Sequence, residues 1–286
     1  MVNSVFRTLW RALIFLLGSL SLWVTVFLFF PIVDGRLPVY LTLLIAYCLA
    51  AYLIIPNLVR LLRLVIKPNH IPLYASTGDG WSSDPVNIAL ICKSKSQLVR
   101  TMKYAGWYTA DKTTLRTTIR FIIGFCFGLP YPNAPFSNLY LFGRKQDIGF
   151  QIPTDANLSP RHRHHVRFWL LTTEETNEAH ASFWQNLMTL FLRRKKQIWI
   201  GSATHDIGTF AFRIQNLQVT HKIDSDTNIE RDFLIETLRR SKSIRTMSTI
   251  KAGEAFHFRG QTLGVKILAD GMLKVIEIKK TLKLIE

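Results

Sequence analysis

The sequence predicts an α+β protein: an N-terminal transmembrane helical hairpin followed by a single mixed α+β cytoplasmic domain. Three observations carry that reading. Residues 12–33 and 39–59 are two uncharged runs at the front of a 286-residue chain. The rest mixes short apolar runs with helical spacing and shows no internal repeat. Residues 161–169 read Arg-His-Arg-His-His-Val-Arg-Phe-Trp, and they concentrate imidazole and guanidinium in what alternation makes a strand.

The two uncharged runs divide the chain into residues 1–66 as a two-span hairpin, 67–85 as a linker and 86–286 as the domain. A hydrocarbon core ~30 Å thick needs about 20 apolar residues of helix, and each run is that long. Backbone groups in lipid must be paired within their own segment, so two lone spans are helices. Arg7 and Arg11 precede the first span, while Arg60, Arg63 and Lys67 follow the second. The positive-inside rule then puts both termini and the domain in the cytoplasm. Pro, Gly, Ser and Asp dominate the linker.

Within the domain, residues 86–92 form a continuous apolar run, the pattern of a buried strand. Residues 94–105 follow with helical spacing, Leu98, Met102 and Tyr104 facing the core, and Gly106 stops the helix. A second helix spans 113–127; its apolar end is too short to cross a membrane and reads as core, with a membrane-interface role as the open alternative. Residues 139–142 and 148–152 pattern as a hairpin around the polar turn 143–147. The histidine–arginine strand comes next. Residues 174–196 place acid first and Arg193-Arg194-Lys195-Lys196 last, with Trp184, Leu187, Met188 and Phe191 on one helical face. Residues 198–203 are a strand, and 210–219 continue the sheet. Thr227 to Glu230 has the form of a capping box that opens a helix to about Arg240. Short strands follow Phe256.

Charge narrows the partners. The chain holds 36 Lys and Arg against 19 Asp and Glu, and the excess lies mainly after residue 66. A basic domain held at a cytoplasmic leaflet is drawn to anionic headgroups, so inner-leaflet anionic lipids are expected partners. No nucleic-acid recognition motif appears, and nucleic acid is not expected as a partner. Cys48, Cys92 and Cys126 show no pairing pattern, as suits a reducing compartment. Ser202 lacks the second glycine of a nucleophile elbow. The run from Asp224 fails as a calcium loop, because Ile229 and Ile235 stand where Gly and Glu are needed.

Alternation puts Arg163, His165, Arg167 and Trp169 on one strand face and His164, Val166 and Phe168 on the other. Arg144, Arg163, His164, His165 and Arg167 are the expected ligand-binding set, since guanidinium pairs with phosphate oxygens and imidazole tunes proton transfer. The plain alternative is a solvated basic edge strand with His164 satisfied in the core. His205 shows nothing beyond ordinary use.

Four ordered motifs bring a family into view. They are residues 138–147, the core ending at Trp169, residues 199–206 (Trp-Ile-Gly-Ser-Ala-Thr-His-Asp) and residues 219–223 with Asp226 and Glu230-Arg231-Asp232. The chain resembles the LssY C-terminal domain family from about Asp84 onward. The resemblance implies that the motifs converge. His165, Asp206, His221, Asp226 and Glu230 would then form a site for a divalent metal such as zinc. Lys222 departs from the family pattern, which often has a second histidine there, and residues 174–196 lengthen the connection between Trp169 and Trp199. Fusion of family members to membrane proteins points to envelope or lipid metabolism. The expected function is a membrane-tethered module binding an anionic, phosphate-bearing ligand; a metal-assisted hydrolase acting on a lipid-linked or phosphorylated substrate is the alternative.

Overall fold

The computed structural model describes residues 20, 23, 27, 38–55, 74–78, 82–172, 196–213, 218–252, 256–259 and 266–279. The chain divides into two compact units, one of 1–69 with 78–81 and 212–219, the other of the remainder.

In the first unit, α1 (Val39–Leu49) continues into a π-helical turn, Ala50–Ile54. Its side chains are apolar on every side, and Tyr40, Leu43 and Leu44 are exposed. Among the described residues, no helix is long and apolar enough to cross a membrane. The first uncharged run falls outside the described residues except for Leu20, Trp23 and Phe27.

The second unit is a mixed α+β fold. In chain order it carries β1 (Tyr74–Ser76), β2 (Ser82–Pro85), β3 (Ile88–Cys92), α2 (Lys95–Tyr104), β4 (Tyr108–Thr109) and α3 (Leu115–Phe127). Then come β5 (Tyr140–Leu141), β6 (Arg144–Lys145), β7 (Ile148–Pro153), β8 (His162–Leu170), β9 (Gln197–Arg213) and β10 (Gln218–Ile223). It closes with α4 (Thr227–Arg240), β11 (Ile244–Lys251), β12 (Phe256–Arg259), β13 (Lys266–Ala269) and β14 (Met272–Ile278).

The main sheet runs β11-β14-β3-β9-β8-β7-β4, with β10 added to β9. Only the β14–β3 pairing in that order is parallel. All five residues of β3 are buried, because strands flank it and both sheet faces are covered. One face packs Ile88, Leu90, Val166, Phe168 and Trp199 against Leu98 and Met102 of α2 and Leu234, Ile235 and Leu238 of α4. The other packs Ala89, Ile91, Trp169, Ile198 and Ile200 against Ala75, Leu139 and Leu141, which belong to or border the small sheet β2-β1-β5-β6.

Several expectations change. The segment read as a linker holds β1 and β2, and it buries Asp84 at 4% exposure. Residues 139–152 are not one hairpin. β5 turns back onto β6 around Phe142 and Gly143, both with positive φ, while β7 joins β8 in the main sheet. Tyr104 is exposed, since Leu98, Thr101 and Met102 fill the inward face of α2. The segment 174–196, expected as a helix, lies outside the described residues apart from Lys196.

Gly149 in β7 sets the position of one side chain that matters below. A Cβ there would lie 2.2 Å from Cζ and 2.6 Å from Cε2 of Phe136, so the ring occupies the space a larger residue would take. Gly149→Val should therefore unseat Phe136 and lower stability by roughly 1–3 kcal/mol, the cost of overpacking. Urea unfolding of the variant at wild-type midpoint would show that the ring is not held there.

Candidate functional site

Strand β8 is central rather than an edge, and its two faces carry different polar constellations. Cross-strand pairing aligns Arg163 with Asp206, His164 with His205, His165 with Thr204 and Arg167 with Ser202. Neighbours in register share a face, so the parity of β8 sorts its partners as well.

On the face toward the small sheet, Arg163 Nε donates to Asp206 Oδ2 at 3.0 Å and one terminal nitrogen donates to Gln151 Oε1 at 2.8 Å. That nitrogen also reaches the carbonyls of Ala134 and Pro135. His165 Nε2 and Thr204 Oγ1 are 2.7 Å apart, and His165 Nδ1 stands 3.6 Å from Asp206. Arg167 donates to Asp84 Oδ2 at 2.9 Å; Thr204 and Ser83 donate to the same carboxylate. Phe136 covers the row. Its ring is 5.2 Å from that of His165, and the guanidinium carbons of Arg163 and Arg167 lie 5.6 and 4.6 Å from its centroid. Arg163, His165, Arg167 and Asp206 are all at most 5% exposed. Two guanidinium groups thus face two carboxylates in a closed, hydrogen-bonded ladder.

The opposite face is built differently. His164 lies between His205, at a 4.3 Å centroid distance, and Phe233 of α4, at 3.8 Å. Nδ1 of His164 is 2.6 Å from Oε2 of Glu230. His205 Nδ1 stands 3.9 Å from Asp224, whose backbone N–H donates to the His205 carbonyl. One donor atom from each of His164, His205 and Glu230 lies within 4.8 Å of the other two. Glu230 is 2% exposed, and its Oε1 has no hydrogen-bond partner among the described residues. His164 and His205 keep side-chain exposures of 16% and 25%, so solvent reaches the imidazole side of the cluster.

Burial governs the charge states here. It raises the Glu230 carboxyl to about 8 and lowers His164 to about 4. His205 is lowered by burial and by the neighbouring His164. Without a cation, the pair at neutral pH is a neutral imidazole against a protonated carboxyl, the least costly state for two desolvated groups. Two imidazoles and one carboxylate are also a nitrogen and oxygen set of the type that zinc takes.

The ligand set read from the sequence is split by this geometry. His165 and Asp206 belong to the ladder face, whereas Glu230 reaches His164 on the other. Asp226 caps α4, accepting from the backbone N–H and the side-chain amide of Asn228, so helix capping occupies its carboxylate. The expected capping box at Thr227 shifts by one residue for the same reason, and Glu230 is released toward β8. The side chain of His221 lies outside the described residues. Of the ligand-binding set, Arg144 clips the β5–β6 turn to Asp147 and the Leu170 carbonyl, while Arg163 and Arg167 bind Asp206 and Asp84. His164 alone joins the cluster.

Sequence reasoning passed over His205, Asp84, Thr204, Gln151 and Phe136. The signal for His205 was parity, since it must face away from Asp206, but its partnership with His164 depends on register. A family model described as LssY C-terminus matches residues 68–273. Neither the curated proteins nor the solved structures gave a significant match.

Proposed function

The chain belongs to the LssY C-terminus family, and we propose that it is a membrane-tethered cytoplasmic module holding a divalent metal on His164, His205 and Glu230. Through that metal it would bind a phosphate-bearing ligand. The observation carrying this reading is the convergence of three donor groups within 4.8 Å around a buried carboxylate oxygen that has no hydrogen-bond partner among the described residues. A buried carboxylate beside two neutral imidazoles gains its counter-charge from a cation more readily than from water. Three protein ligands leave a coordination position for a ligand oxygen or for water.

The tether rests on the span length of the two uncharged runs and on the basic residues that flank them. Hydrolysis of a phosphorylated or lipid-linked substrate at the same centre is the second reading, favoured by the three-ligand count, which is that of catalytic zinc sites.

Metal titration of the full chain tests the proposal. Wild-type protein should take up one equivalent of Zn²⁺ or Co²⁺, the cobalt form absorbing as a tetrahedral or five-coordinate centre. His205→Ala and Glu230→Gln should each weaken uptake at least ~10-fold. Inorganic phosphate should bind the metal-loaded protein and not the chelator-treated one. Equal metal uptake by wild type and both variants would dismiss the site.

A further inference from the structure

Helix α3 shows its most apolar stripe to the outside. Leu115, Ile119, Ile122, Ile123 and Phe127 are 79%, 49%, 52%, 44% and 74% exposed. Their spacing places them, with exposed Cys126, on one continuous side of the helix. Only Gly124 and Phe125 are buried. The exposed stripe cannot be a core face, which is what its apolar composition predicts when read alone. The helix is nevertheless firmly built. Thr114 and Thr117 form a reciprocal capping box, Gly128 closes the helix with φ +66°, and Arg161 donates to the carbonyls of Phe125 and Cys126.

Charge says what this face meets. Arg116 lies along the border of the stripe by helical position, and Arg120 lies beside it, over the Tyr131 ring at 4.1 Å. From Lys112 to Gly128 the sequence holds Lys112, Arg116 and Arg120 and no acid; Asp111, just before, accepts a hydrogen bond from Tyr131. A protein partner of ordinary composition would meet this face with mixed charge. An anionic bilayer surface supplies both an apolar layer for the stripe and headgroups for its basic border.

We infer that α3 is a membrane-surface anchor that inserts Leu115, Ile119, Ile122, Ile123 and Phe127 into an anionic leaflet. The inference rests on the tethered reading, which brings the bilayer within reach. It adds a defined contact surface on the domain, independent of the metal cluster.

The test uses the full chain in nanodiscs. Cys48→Ser leaves Cys126 as the exposed thiol, since Cys92 is buried with its thiol pushed up to about 12. A polarity-sensitive fluorophore on Cys126 should shift to shorter wavelength and be quenched by brominated lipid in discs containing phosphatidylglycerol. Arg116→Gln should reduce that quenching by roughly fivefold in partition, the effect of one basic residue at such a surface. Ile122→Asp, at an exposed position that leaves the interior untouched, should abolish it.

Three results would overturn the inference. The label stays aqueous in every disc; it is shielded without lipid quenching, as a second copy or another segment of this chain would produce; or quenching is the same in phosphatidylcholine alone. Resistance of the full chain to carbonate extraction tests the tether separately, so a failed α3 contact is distinguishable from a failed tether.

Discussion

Arg163→Met should destabilise the domain by about 3–5 kcal/mol, the cost of leaving a buried carboxylate without its cation. Arg163 is 2% exposed and Asp206 5%, and the bond between them is 3.0 Å long. Removing the guanidinium strands the Asp206 carboxylate and also removes the donor that serves Gln151 and the carbonyls of Ala134 and Pro135. The double variant Arg163→Met with Asp206→Leu should recover most of the loss, because two apolar side chains of similar volume need no counter-charge. Denaturant unfolding followed by tryptophan fluorescence reads this directly, since Trp169 and Trp199 lie in the two cores. A single variant that keeps its stability but loses phosphate binding would move the ligand site to the ladder face.

The second large effect is a loss of stability with rising pH in the metal-free protein. Glu230 is raised from an ordinary 4.5 to about 8, so the stability of its neutral form is full below 4.5 and is lost as pH rises through 8. His164 acts in the opposite sense. Lowered from 6.5 to about 4, it contributes stability above 6.5 that is lost as pH falls through 4. The two trends oppose each other below 6.5, leaving Glu230 unopposed between 6.5 and 8. Stability in chelator should fall by on the order of 2 kcal/mol across that window, at 1.36 kcal/mol per unit. Glu230→Gln should flatten the curve there. If the variant and wild type fall in parallel, Glu230 is not the titrating group.

Some of this was legible in the residues. Alternation across 161–169 separated His164 from Arg163 and His165, and the mixed α+β class followed from short apolar runs between helical segments. What the residues hid was register and competition. His164 and His205 meet because β8 and β9 pair as they do, and no local pattern states that pairing. Asp84 looked like part of a Pro and Ser-rich connection, yet from β2 of the small sheet it neutralises Arg167. Glu230 had a local capping role available, and Asp226 took it instead. The outward stripe of α3 was hidden for a related reason: apolar spacing reports amphipathicity but not which side the rest of the protein occupies.

The parallel pairing of β14 with β3 has a consequence for how the molecule comes into being. The first strand of the main sheet to be synthesised is flanked on one side by residues 197–201 and on the other by residues 274–277. Until residues 197–201 are made, Ile88 to Cys92 has neither neighbour, and its backbone and apolar side chains stand open. Only when residues 274–277 have left the exit tunnel can this strand be enclosed on both sides. The nascent protein therefore carries an adhesive strand with at least one edge uncovered from the emergence of β3 to that of β14. Removing β14, Met272–Ile278, would leave that hazard permanent, and holdase chaperones or rapid proteolysis would determine its fate.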